Sequence, residues 1–407
     1  DDVWAEEAWG FFPAAALAWK IKQENFLKEV NFVNDLKLRL GYGKTGQQNI
    51  SGAVGTFYPT SPLFAVGSQN SQYLPGANLY SALPFQTGLT WEKTSTYNLG
   101  LDFNFFKNSL VSGSFDIFKR ETTDLLTDAL IPPGQGLTDS FIKNVGSTES
   151  EGFELNLNLN PVQNEDFNLS FNGNISYATT EVTDLGGINT LRIGGGLLGT
   201  GSNLFFNKLG EEPGLAGVFK QVYDASGNPI PGAFVDLNGD NQITEDDKYF
   251  EALAPNWTFG FGLNVNYKNW DLSASFRGQL DGKLYDFNEL RYGHTGSAEP
   301  NNNTSITNVL NFYHGAANPV FDEVIGNTQF SDYFLQDASF LRCQNIVVGY
   351  NFDSNFIKNT SMRIYGSVNN PFIITNYEGQ DPENNGGIDG AFYPRPTTIS
   401  MGVNIDF

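Results

Sequence analysis

The chain has 407 residues and a formal net charge of −22, with 14% aromatics, 44 glycines, one cysteine and two methionines. A lone Cys343 excludes an internal disulfide framework. The acid excess, with no basic stripe, excludes nucleic acid as a partner, and no run of eighteen apolar residues exists to form a transmembrane helix. Turn formers and strand formers dominate, an all-β balance.

In chain order, strands are expected near 11–21 and 35–43, followed by a long connection at about 44–90. Strands near 91–105 and 109–120 flank the short link "KNS" (107–109), and a second long connection covers about 121–150. From Phe153, "FELNLNLN" sets Phe153, Leu155, Leu157 and Leu159 against Glu154, Asn156, Asn158 and Asn160. After the short link "PVQNED" (161–166), "FNLSFNGNISY" alternates in the same way. Period two over about ten residues is a strand with one apolar and one polar face.

The third long connection, about 178–255, contains "DLNGDNQITEDD" (236–247). Oxygen-bearing side chains at its first, third, fifth, ninth and twelfth places match the spacing of a calcium loop, but no helical pattern flanks it. The expected ligands for Ca²⁺ are Asp236, Asn238, Asp240, the Gln242 carbonyl, Thr244 and Asp247. Asn241 stands where the sharp turn usually has glycine, a place asparagine tolerates. The alternative is a solvated acidic loop held by its own Asx-turns.

Strands near 256–267 and 270–280 follow, joined by "KN" (268–269), and then a long connection at about 281–337. Strands near 338–352, 360–371 and 397–407 complete the chain, with a last long connection at about 372–396. All long connections therefore fall at one end. That asymmetry, strands of ten residues or more, Asn/Ser/Gly on the polar face, and aromatics at strand ends (Trp91, Phe105, Phe106, Trp257, Tyr267, Trp270) fit a transmembrane β-barrel. A β-sandwich has shorter strands and no such rule. Leu155, Leu157, Leu263 and Ile405 are expected to face lipid, and Asn156, Asn158, Asn264 and Asn404 the lumen. Eleven strands are an odd number for a bacterial barrel, so the chain reads as part of a larger one.

Ordered blocks such as "NDLKLRLGYGKTGQQNI" (34–50), "WEKTSTYNLGLDFNFF" (91–106), "VDLNGDNQITEDD" (235–247), "RIYGSVNNPFIITNYEGQDPE" (363–383) and "YPRPTTISMGVNIDF" (393–407) carry a family likeness. The chain resembles the C-terminal half of SusC/RagA-type TonB-dependent transporters of the Bacteroidota outer membrane. The resemblance implies residues 1–407 as half of a 22-stranded barrel, with the plug, the TonB box and the early strands outside this chain. It implies uptake of oligosaccharides or oligopeptides under a SusD-like lipoprotein lid, driven by TonB through the plug. It also implies that a C-terminal strand ending at Phe407 is read by the barrel-assembly machinery. Rival functions are a structural subunit of a larger outer-membrane assembly and a passive porin or adhesin barrel. His294 and His314 stand alone, "RIGGGLLGTG" (192–201) lacks the features of a phosphate loop, and no nucleophile–base set appears. The chain reads as no enzyme.

Overall fold

The computed structural model describes residues 10–47, 64–66, 80–82, 88–130, 140–194, 203–292, 330–352, 361–384, 386–390 and 393–406. Eleven strands form one antiparallel sheet whose spatial order is the chain order. They are β1 (Ala14–Lys20), β2 (Val33–Gln47), β3 (Glu92–Phe105), β4 (Val111–Thr123), β5 (Ser147–Gln163) and β6 (Phe167–Asp184), then β7 (Trp257–Tyr267), β8 (Trp270–Leu280), β9 (Phe340–Phe352), β10 (Ser361–Thr375) and β11 (Thr398–Asp406). Each expected strand is present. Phe407, His294 and His314 lie outside the described residues.

The register keeps the two faces chemically separate across the sheet. Leu157 stands opposite Gly113 and Gly173, while Asn156 stands opposite Ser114 and Asn174. Leu263 stands opposite Phe171 and Ala274, while Asn264 stands opposite Ser170 and Ser273. The expected assignment of Leu155, Leu157, Leu263 and Ile405 to one face, and of their asparagine neighbours to the other, holds in this register.

The apolar face is not covered. Leu17, Ile399 and Met401 are 63%, 70% and 87% exposed, and Leu40, Leu99, Ile117, Phe171, Phe261 and Val348 on the same face are exposed too. A sandwich buries such a face, and a soluble monomer rarely exposes more than a few hundred Å² of contiguous apolar surface. Lipid is the solvent that this face fits. Aromatic belts bracket it. Phe153, Tyr177 and Trp257 cluster near one rim, with centroid spacings of 4.7–5.9 Å. Trp270 packs on Tyr350 at 4.9 Å near the other. The 11 residues Trp257–Tyr267 join the two belts. At about 3.4 Å per residue and about 40° tilt that is about 25 Å of height, the apolar band of a barrel wall.

Tight turns close one end. Between β7 and β8 the chain reverses in Lys268 and Asn269, with Lys268 at φ 51°. Between β5 and β6 the Asn164 carboxamide oxygen accepts from the amides of Asp166 and Phe167 at 3.1 and 2.7 Å. The other end carries the connections 48–91, 124–146, 185–256, 281–339 and 376–397. β5 and β6 run past the expected boundary into this region, to Ser147 and Asp184.

The tightest apolar packing lies in those connections rather than in the wall. Leu204, Ala216, Val218, Leu253, Tyr285, Leu290, Phe330 and Phe334 form one buried cluster, with Ile388 packed against it. It lies within a four-stranded sheet (Thr190–Ile193, Phe205–Lys208, Leu215–Phe219, Lys248–Glu251) and a three-stranded sheet in which Lys283–Asp286 pairs with both Leu335–Asp337 and Ile388–Asp389. The last three long connections therefore fold as one cap. Among the described residues, β1 and β11 each have a neighbour on one side only. Hydrocarbon cannot satisfy such an edge, so this sheet needs further strands to close.

Candidate functional site

When a sheet of this kind closes, its polar face lines the lumen. Two irregularities shape that face near the cap. The β8–β9 register shifts between Ser275 and Phe276, and the β9–β10 register shifts between Cys343 and Asn345, leaving Gln344 as an extra residue. Asn370, just before Pro371 in β10, takes φ 51°. Bulges re-aim side chains and tolerate a proline that a regular ladder rejects. Beside them is a pocket of about 420 Å³ walled by Asn172, Asn174, Ser275, Arg277, Gln344 and Glu383. Its floor is glycine. A Cβ on Gly262 would come within 2.6 Å of the Asn172 carboxamide oxygen. A larger groove, about 810 Å³, lies on the opposite face between Leu17, Leu40, Leu99 and Ile117, an apolar lining suited to acyl chains rather than to a polar ligand.

Beside the pocket an ion cluster fastens the last connection to the wall. Arg342, with 5% of its side chain exposed, donates to Asp381 at 2.6 Å and to Asn370 at 2.7 Å. Glu383 Oε2 receives Arg277 at 2.7 Å and Arg395 at 2.6 Å, with Arg342 Nε at 3.3 Å. Asn370 donates in turn to the Arg395 carbonyl. Lower on the polar face, Arg39 joins Asp102 and Asp116, Lys37 joins Asp102, and Arg363 pairs with Asp271.

In the cap, the expected calcium-loop residues do come together as a loop. Asp236 accepts from the amides of Gly239 and Asn241, both at 2.7 Å. Asn238 accepts from Asp240, and Asp240 from Gln242. Asp247 is buried and accepts from the amides of Leu237, Asn238 and Thr244. Those amides, Thr244 first, hold its carboxyl below the usual range. Gly239 and Asn241 take φ 77° and 63°, the left-handed places the spacing requires. Thr244 caps the short turn Glu245–Asp247. Among the described residues no three carboxylate, imidazole or thiolate groups are gathered as metal ligands. In this conformation the loop spends its oxygens on its own amides.

Next to it, Lys248 reaches Glu245 at 3.0 Å and sits 5.2–5.8 Å from the rings of Phe206, Phe219 and Phe330. Burial pushes its ammonium pKa down, and the three ring faces offset part of that desolvation. The acidic loop is thereby tied to the cap core. Asp286 and Asp389 stand opposite each other where the last two connections pair. Burial, opposed by the Glu289 amide, pushes the Asp286 carboxyl up, with the neighbouring Asp389 adding to the rise. The Tyr377 hydroxyl donates to Asp389 at 2.8 Å.

Residue patterning alone missed Arg277, Arg342, Asn370, Asp381, Glu383 and Arg395. One local signal marks the place: "RCQN" (342–345) sets polar residues side by side where the strand should alternate.

The family described as "TonB dependent receptor-like, beta-barrel" matches residues 1–371. The TonB-dependent receptor SusC of Bacteroides thetaiotaomicron is 38% identical over 99% of this chain and 40% of its own length. The TonB-dependent receptor P3 of Formosa agariphila is 30% identical over 98% of this chain and 42% of its own. The chain thus spans about two-fifths of the length of the curated relatives it matches. The solved RagAB peptide transporter superposes with a TM-score of 0.76 over 96% of this chain and 43% of its own, at 24% identity, a likeness of fold.

Proposed function

The chain belongs to the TonB-dependent receptor β-barrel family of the outer membrane, and from that membership we propose that it forms the C-terminal wall of an importer for oligosaccharides or oligopeptides. A SusD-like lipoprotein rests on the cap, and TonB acts through a plug outside this chain. The barrel-assembly machinery inserts the wall by its last strand. The observation that carries this reading is the cap itself. Three long connections share one buried core, so they present a firm platform above the polar face rather than independent loops. Removing 285–330 from the full-length receptor, which takes Tyr285, Leu290 and Phe330 out of the shared core, is expected to abolish co-purification of the lipoprotein while the barrel still inserts. Undiminished co-purification would overturn the seat. Recovery of assembly or secretion components in fixed ratio would favour the structural-subunit reading.

The same cap supports a second element of function. We infer that the 236–247 loop takes Ca²⁺ through Asp236, Asn238, Asp240, the Gln242 carbonyl, Thr244 and Asp247. The left-handed Gly239 and Asn241 support it, since they give the backbone its sharp turn. Each carboxylate oxygen has a second lone pair beyond the one facing an amide, so a cation shares these oxygens by drawing the loop inward. Calorimetry on the purified full-length protein is expected to show saturable binding with a dissociation constant of roughly 0.1–1 mM. Asp236→Ala with Asp240→Ala should remove that heat, and heat equal in the two proteins would dismiss the site.

A further inference from the structure

We propose that the pocket beside Arg277 selects ligands carrying a carboxylate, a substrate class within the import reading above, on which it rests. The charge count points there. Around the pocket three guanidinium groups, of Arg277, Arg342 and Arg395, face two carboxylates, of Asp381 and Glu383. Elsewhere on the polar face the ion pairs balance: Lys37 and Arg39 against Asp102 and Asp116, and Arg363 against Asp271. Among the ion pairs of the described residues on this face, the excess of one positive charge is thus local to the pocket. It stands out in a chain whose net charge is −22.

Arg277 is the member left with capacity. Among the described residues its one partner is Glu383, reached through Nη2 at 2.7 Å. Its Nε is buried and unpartnered, so the capacity lies at the guanidinium end, where 38% of the side chain is exposed and no described residue bonds Nη1. Glu383 Oε2 already serves Arg395 and Arg342, so it offsets only part of the Arg277 charge. Arg342, by contrast, is buried and bonded on both terminal nitrogens. Besides glycine and phenylalanine, the other side chains of the wall are neutral and polar, Asn172, Asn174, Ser275, Gln279 and Gln344 among them. These groups can bond hydroxyls or peptide units but cannot tell an acid from an amide. The fork of Arg277 can, because a planar guanidinium matches a carboxylate. The overall acidity of the chain works against long-range capture of an acidic ligand, so the preference lies in retention.

The experiment uses the full-length receptor in detergent, with its lipoprotein partner where the two co-purify. Two matched pairs are titrated: an oligogalacturonate against its methyl ester, and a Glu-containing hexapeptide against the same peptide with Gln. A charge-assisted bond exceeds a neutral one by enough for about a tenfold preference. The wild type is expected to hold the acidic member of one pair about tenfold more tightly, and the pair that responds names the source of the carboxylate. Arg277→Gln should bring that ratio near one, and Arg277→Lys should recover part of it. Glu383→Gln, which adds a positive charge, should raise it. A wild type that prefers neither acid or binds none of the four overturns the assignment. So do Arg277→Gln and Glu383→Gln if they weaken both members of a pair alike, as a purely structural clasp would. Uptake of a neutral oligomer by a wild type that shows no preference for the acid would leave the import reading standing while the carboxylate assignment fell.

Discussion

Replacing Arg342 with Met is expected to release the segment 377–395 from the wall while the barrel remains folded. Arg342 and Asp381 are each 5% exposed at the side chain, so the substitution leaves a carboxylate in a site from which water is largely excluded. Removing one partner of a buried pair costs about 3–5 kcal/mol, more than the pair itself contributes, because the orphaned charge is not re-solvated. The lower end applies here. Asp381 keeps the Glu383 amide at 2.9 Å and Arg395 at 3.6 Å, and Glu383 keeps two guanidinium partners. The loss falls on the clasp and not on the wall, since the strand ladder on either side of β9 does not depend on it. Limited proteolysis should therefore cut Arg342→Met within 377–395, while the heat-modifiable mobility of the barrel on gels is unchanged. Adding Asp381→Asn to that variant should restore much of the protection by removing the orphaned charge. If the double variant is cut faster than the single one, the pair was holding the segment by attraction, and the desolvation reasoning is wrong.

The wall was legible because its physics is local. Every lipid-facing strand must alternate, so "FELNLNLN" and "WTFGFGLNVNY" announce both their conformation and their faces. Legibility faded where the solvent changed. Ser147–Ser150 and Thr179–Asp184 continue β5 and β6 beyond the apolar band, but away from lipid nothing obliges them to alternate. Their strand character comes from pairing with each other. The cap core was beyond reach for another reason: Leu204, Tyr285 and Phe330 meet from segments far apart in the chain, and no period links them. The arginine clasp draws one charge from β8, one from β9 and three from the last connection. Singly, Arg277 or Glu383 looks like any polar residue facing a wet lumen. The acidic loop is the intermediate case. Its sharp turn could be read from the place of Asn241, but not the left-handed Gly239 or whether its oxygens hold amides or a cation.

Leu263→Arg and Asn264→Arg differ by one position and should differ widely in effect. Leu263 lies near the middle of β7, between the belts marked by Trp257 and Tyr267, with Phe171 and Ala274 across the strands. At that height a guanidinium on the apolar face meets hydrocarbon, and barrel measurements place the cost at about 2–4 kcal/mol, falling toward zero near either interface. Snorkelling relieves little, because both belts lie about equally far away. Asn264 has Ser170 and Ser273 as cross-strand neighbours, so an arginine there enters a hydrated lumen lined with hydroxyls and should change stability by less than about 0.5 kcal/mol. Folding of the full-length receptor into lipid vesicles, followed by the denaturant dependence of its heat-modifiable band, measures both. A position series sharpens the result: Phe259→Arg and Val265→Arg should each cost less than Leu263→Arg, since each stands two residues from a belt. If Asn264→Arg is the damaging change, the faces are exchanged. If neither matters, this wall does not stand in lipid, and the exposed Leu17, Ile399 and Met401 are there for some other partner.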